Sequence, residues 1–288
     1  MREVVIVGGT RGIGRAVAEA LGGEGARLTI VGRDSGRGEE VARGIEARGG
    51  AARFVAGDLA STRTTRALAR ELLERCERID ALVHVAGIWP AKRELNEDGL
   101  ERAFAVNHLA PFLLDHLLEP RLFASRARVV QVSAGLYVKG RLDLARTPTG
   151  EDFHPIRTYA STKLANLMTI PRFAARWGDR ASIVAVHPGV IRTDLGDRPG
   201  LLGALLRLVK RTWRSPKEGA RPVVRLVDAE VPSGSYFHES TLAPLLPVAT
   251  DPPLVEALWN ATASFARLSE EAPEEGSLRA AAPEAAAR

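Results

Sequence analysis

Residues 7–14 read VGGTRGIG, between the apolar run EVVIV (3–7) and the helical pattern of GRAVAEALGGEG (14–25). Glycines at 8, 12 and 14 allow the backbone to turn tightly and to approach a pyrophosphate. The free N–H groups of the helix N-terminus would then face its negative charge. A glycine triplet alone is a weak signal, but placed between a strand and a helix at the start of a chain it becomes a strong one. Gly8, Thr10, Arg11, Gly12, Ile13 and Gly14 are therefore candidate cofactor contacts.

Outward from this loop, short β-branched runs alternate with longer amphipathic ones. RLTIV (27–31), ARFVA (52–56), ALVHV (81–85), RVVQV (128–132) and SIVAV (182–186) read as strands. STRTTRALARELLERC (61–76) and GLERAFAVNHLAPFLLDHLL (99–118) are among the helical stretches. Continuous apolar strands suit a sheet covered on both faces, and right-handed crossovers then give an α/β fold. We expect a single Rossmann-type, doubly wound parallel sheet with helices on both faces and ligands beyond the carboxyl ends of its strands. SGSYFHES (233–240) adds a last strand, and SPKE (215–218) announces a helix through a Ser215–Glu218 capping box.

Two long connections, about 134–157 and 189–215, have the length of substrate-binding loops. The second contains LLGALLRLV (201–209), an amphipathic stretch suited to covering an apolar ligand. The domain spans 1–268, and the acidic, then alanine-rich tail 269–288 has a disordered composition.

The 288 residues are 45% hydrophobic and 26% charged, an ordinary soluble mix. A net charge of +5 permits nucleic-acid binding, but the 40 basic and 35 acidic residues are interleaved. No helix-turn-helix, zinc-ligand spacing or RNA-binding aromatic pattern accompanies them, so neither nucleic acid nor metal is expected. One cysteine, Cys76, excludes an internal disulfide and fits a reducing compartment. No run approaches the ~20 apolar residues of a membrane span, and MREVVIVGGT lacks the features of a signal peptide. A soluble, cytoplasmic protein is expected.

The second strand and the glycine loop discriminate between dinucleotides. NAD sites place a carboxylate at the end of that strand. Here IVGRDSGR (30–37) puts Arg33 after Gly32, and Arg11 lies inside the loop. Two guanidiniums suit a 2′-phosphate, and Asp34 reads as a helix-start residue. NADP(H) is expected over NAD(H).

YASTKLAN (159–166) places Tyr159 and Lys163 four apart, on one helix face. With these residues the chain resembles the short-chain dehydrogenases/reductases from Val4 to about His238, most of all the branch containing retinol dehydrogenases. The markers run in order: the glycine loop, Asp58 and Leu59 in GDL, Ala86 and Gly87 in VAG, Asn107, Ser133, YASTK, and Pro188, Gly189 and Thr193 in HPGVIRTDL. The resemblance implies that Tyr159 is the general acid/base of hydride transfer and that Lys163 tunes it and holds the nicotinamide ribose. It implies that Asn107 supports a water linking Lys163 to solvent. Asp58 would meet the adenine, Pro188 and Gly189 would shape the nicotinamide pocket, and Thr193 would fix the carboxamide. Lowering a phenol pKa of ~10 by ~3 units needs ~4 kcal/mol of preferential phenolate stabilisation, which an adjacent ammonium and a cationic nicotinamide can supply in a water-poor site.

Four positions depart from the family pattern. Val7 replaces the usual threonine, and His84 and Val85 replace the asparagines of NNAG. His84 reads as a satisfied strand-end residue. The fourth is Ala134, which stands where the family has the serine that polarises the substrate carbonyl. Ser133 is the candidate to replace it, with Tyr137 or a loop hydroxyl as alternatives. Losing such a donor costs ~10²–10³ in rate, against total accelerations of ~10⁶ or more.

The expected function is NADP(H)-dependent interconversion of an alcohol and a ketone or aldehyde. An apolar small-molecule substrate is suggested by Trp89, Leu136, Phe153, Leu195, Leu201, Leu202 and Trp213. A non-catalytic NADPH-binding protein and an epimerase or dehydratase on the same fold are the alternatives. Relatives pair through the helices carrying Asn107 and Tyr159, so the resemblance also implies a homodimer or homotetramer.

Overall fold

The computed structural model describes residues 1–193, 195–196 and 212–268. Strands β1 (Glu3–Val7), β2 (Arg27–Gly32), β3 (Ala51–Ala56), β4 (Ala81–His84), β5 (Arg128–Val132), β6 (Ser182–His187), β7 (Tyr236–His238) and β8 (Thr241–Ala243) form one sheet in the order β3-β2-β1-β4-β5-β6-β7-β8. All neighbours are parallel except β7 and β8. The reversal between β3 and β4, on either side of β1, opens the switch-point crevice where doubly wound folds bind ligands.

The strands carry apolar side chains on both faces because helices cover both. One face packs α1 (Gly12–Gly23), α2 (Ser35–Glu46) and α7 (Pro216–Asp228) against Val4, Ile6, Ile30 and Val184. The other packs α3 (Thr62–Arg75), α4 (102–117), α6 (Pro155–Trp177) and α8 (Pro252–Phe265) against Val5, Val7, Val129 and Ile183. The period-2 alternation along β1 thus feeds two cores at once. A short α5 (Glu119–Ala124) leads into β5.

The capping box at Ser215 is present, with the Ser215 hydroxyl accepting from Glu218 N and the Glu218 carboxylate from Ser215 N. SGSYFHES supplies β7, but the chain then turns back into β8, an antiparallel edge strand that the local sequence pattern does not announce. The connection 134–157 is not structureless: it opens with a 3₁₀ helix at Gly135–Lys139. The expected cover LLGALLRLV, the residues Leu201 and Leu202, and the tail 269–288 lie outside the described residues. Among the described residues no helix is long and apolar enough to cross a membrane.

Candidate active site

The glycine loop runs from β1 into α1 and forms one end of a cavity of about 710 Å³. Gly8 has φ +94°, and a Cβ there would lie 2.6 Å from the Ala86 amide nitrogen. A Cβ on Gly14 would lie 2.1 Å from the Gly8 carbonyl oxygen. Both positions require glycine because backbone packs on backbone. The loop is held to β2 by Gly8 N donating to Val31 O at 2.9 Å.

Helix α1 begins at Arg11, whose extended backbone carries no side-chain cap. By contrast Asp34, Ser61, Glu101, His154 and Ser215 each cap their own helices. Helix α8 also starts without a side-chain cap, at Asp251; what sets α1 apart is that its free first-turn N–H groups lie beside the glycine loop at the cavity.

Arg11 and Arg33 line this end of the cavity, and so does Arg37, which was not among the residues expected there. Its signal is present in IVGRDSGR: Arg37 falls in the first turn of α2, three residues after the Asp34 cap. Asp34 acts as the helix-start residue that its position suggests, since its carboxylate accepts from Arg37 N at 3.0 Å and caps α2. Thr10, Gly12, Ile13, Asp58 and Leu59 also line this end.

The opposite end belongs to α4 and α6. Within α4 a π-helical turn, Ala105–Leu109, carries Asn107; such turns re-aim a residue out of helical register. The Asn107 side chain accepts from Ile88 N at 2.8 Å and donates to Ile88 O at 2.9 Å and to Thr162 at 3.1 Å. Its backbone carbonyl accepts from the Asn166 side chain at 2.8 Å. Asn107 thus ties the 86–89 segment to α6.

On α6, Tyr159 and Lys163 point into the same cavity, with the Lys163 Nζ 5.9 Å from the phenol ring centroid. Lys163 donates to Val132 O at 3.1 Å, and burial pulls its pKa down to about 8. Burial pushes the Tyr159 phenol up from its ordinary value. A Cβ on Gly87 would fall at ordinary contact distance, 3.5 Å from Asn107 Oδ1 and 3.7 Å from Lys163 Nζ, so the segment passes directly beside both groups.

Ala86, Gly87, Ser133, Pro188, Gly189 and Thr193 all line the cavity too. Ala134 is there as well, but the Ser133 Oγ is shut off from solvent and has no hydrogen-bond partner among the described residues. A hydroxyl in that state reaches a ligand only by turning into the cavity. His84 lies off the cavity wall: its Nε2 is 2.8 Å from Asp115 Oδ1, both residues buried, and the pair ties β4 to α4. Of the apolar candidates, Trp89, Leu136, Leu195 and Trp213 line the cavity and Phe153 does not.

These parts are those of a nicotinamide-dinucleotide oxidoreductase fold. The short chain dehydrogenase family model matches residues 2–199, and the chain belongs to that family, whose members act on alcohols and carbonyl compounds. It is 35% identical over 280 residues to retinol dehydrogenase 14 of Mus musculus, covering 90% of this chain and 84% of that protein. It is 34% identical to the polyprenol dehydrogenase of Mus musculus, covering 90% and 82%. A crystal structure from Mycobacterium paratuberculosis superposes with a TM-score of 0.74 at 26% identity, covering 93% of this chain and 94% of that one. An alcohol dehydrogenase from Thermococcus sibiricus complexed with 5-hydroxy-NADP, at 23% identity and a TM-score of 0.64, shares the fold; the match covers 85% of this chain and all of that one.

Proposed function

We propose that the protein is an NADP(H)-dependent oxidoreductase that interconverts an alcohol and a ketone or aldehyde on an apolar small molecule. The observation that carries the reading is one cavity with three arginines and an uncapped helix end at one extremity and Tyr159 with Lys163 at the other. The residues fit the cofactor: Arg11, Arg33 and Arg37 would hold a 2′-phosphate, and the glycine loop the pyrophosphate. Asp58 would meet the adenine, and Lys163, Pro188, Gly189 and Thr193 would hold the nicotinamide end. The bound cofactor supplies or accepts the hydride.

The rest is done by this chain. Tyr159 gives its proton to the substrate oxygen in reduction and takes it back in oxidation. Burial keeps the phenol protonated, the form that reduction needs, and Lys163 in its charged form offsets the phenolate left behind. Asn107 fixes the 86–89 wall against α6. Leu136, Leu195 and Trp213 make an apolar approach, and the names of the two curated relatives point to long apolar alcohols. The lone, buried Cys76 suits a reducing cytoplasm.

Ala134 and the sealed Ser133 hydroxyl favour a second reading, an NADPH-binding protein without turnover. One experiment separates the two: NADPH consumption against apolar ketones and aldehydes by the native chain, Tyr159→Phe and Ser133→Ala. Turnover that falls ~10³-fold or more in Tyr159→Phe with NADPH affinity intact supports the oxidoreductase. Tight NADPH binding with no turnover across the panel supports the binder. A Ser133→Ala rate equal to the native one removes Ser133 from the catalytic set.

A further inference from the structure

Tyr159 has an unusual neighbour. The indole of Trp89 lies on the phenol ring with centroids 4.8 Å apart and planes only 10° from parallel. Trp89 is anchored on both sides of this contact. Its Nε1 donates to Pro155 O at 2.8 Å, in the first turn of the helix that carries Tyr159. On the other side a Cβ at Gly196 would come within 3.1 Å of the indole Cε3, so glycine at 196 lets the chain close against the ring.

The phenol oxygen is not fixed by a hydrogen bond to any described residue, and position 134 offers no hydroxyl beside it. The ring's angle is then set by what lies against its faces, the stacked Trp89 indole and the Lys163 ammonium 5.9 Å from its centroid, and an offset stack is one of the preferred aromatic geometries. Misplacing a proton donor by ~1 Å costs up to ~10²-fold in rate.

We propose that Trp89 is a positioning residue for Tyr159, whose stacked indole holds the phenol at the angle from which it meets the substrate oxygen and closes that face to water. The inference rests on the oxidoreductase reading. Trp89 acts through Tyr159 and not by a bond of its own to the substrate, so its effect belongs in kcat and is conditional on the phenol.

The test compares Trp89→Leu, Trp89→Phe, Tyr159→Phe and the Trp89→Leu/Tyr159→Phe double variant in kcat, KM and NADPH affinity. Trp89→Leu is expected to lower kcat about 10–100-fold with NADPH affinity unchanged. Trp89→Phe, which keeps a ring on the phenol, should stay within about threefold of native. The double variant should be no slower than Tyr159→Phe, because the two losses are one loss. Circular dichroism without substrate gives an independent readout: the indole–phenol coupling signal should vanish equally in Trp89→Leu and Tyr159→Phe. Should Trp89→Leu unfold, Trp89→Met, which retains more of the volume, takes its place. A native kcat in the leucine or methionine variant, a loss confined to KM, or a loss that adds in full to that of Tyr159→Phe would overturn the proposal. If Tyr159→Phe itself turns over like the native chain, the oxidoreductase reading falls as well, and that result is distinguishable from an indifferent Trp89 beside an essential Tyr159.

Discussion

The two ends of the cavity are built from different materials. Around Gly8 and Gly14 the walls are backbone against backbone, with separations that a single Cβ would violate. Around Tyr159 they are side chains from α4, α6 and the 86–89 segment, locked by hydrogen bonds of Asn107 and by the Trp89 stack. A wall made of backbone tolerates almost no substitution, because peptide groups cannot move aside. A wall made of side chains can exchange members and keep its shape. The first end accordingly keeps its glycines, its one departure being the Val7 side chain at the edge of the loop, while the second carries Val85 and Ala134 in place of the family residues.

The sharpest way to break that contrast is Gly14→Ala. One methyl group would meet the Gly8 carbonyl at 2.1 Å, and we expect NADPH affinity to fall by about 10²-fold or more, from ~3 kcal/mol of displaced backbone. Fluorescence titration with NADPH measures it, and native affinity would show the loop to be more pliant than its packing. Next comes Arg33→Ala, alone and with Arg37→Ala. Losing charge-assisted hydrogen bonds should weaken NADPH about 10–100-fold and leave NADH unchanged. Equal losses for both dinucleotides would show that these arginines do not read the 2′-phosphate.

Ala134→Ser addresses the side-chain end. Restoring a hydroxyl there should raise kcat up to about tenfold at constant NADPH affinity; a fall in kcat would show that position 134 does not face the reacting carbonyl.

The smallest effect is one of pH on stability. Burial holds Lys163 near 8, against 10.5 in its ordinary state. Between those values the unfolded chain carries the extra proton, so the ligand-free fold gains stability as pH rises, by up to ~1.4 kcal/mol per unit. Denaturant titrations at pH 8 and 9 should show the gain in the native chain and not in Lys163→Met. The buried imidazoles of His108 and His187, lowered to about 4, act on the acid side. Their neutral forms are native, so stability is lost as pH falls from 6.5 toward 4.

Much of this is legible in the residues for identifiable reasons. VGGTRGIG can be read because each glycine answers a local steric demand. YASTK can be read because four residues is about one helical turn. Asp34 is separable from a ribose ligand because a capping aspartate has its own spacing. The antiparallel β8 is not legible: Thr241–Ala243 is three residues long, and it is a strand only because β7 lies beside it. Helix α8 is likewise tied to its place by tertiary contacts, among them Thr262 on His108 at 3.0 Å.

By itself, then, the amino-acid sequence determined the alternation of strands and helices, the glycine loop between β1 and α1, the placing of Arg11 and Arg33 near it in the chain, and the Tyr159–Lys163 spacing on one helix face, since each follows from patterns within a few residues. Only the tertiary structure decided that Arg37 joins Arg11 and Arg33, that His84 is satisfied by Asp115, that the Ser133 hydroxyl is sealed, and that Trp89 lies flat on Tyr159. Those facts depend on residues on separate elements, and only the packing of the sheet and its helices around the switch point sets where each of them lies.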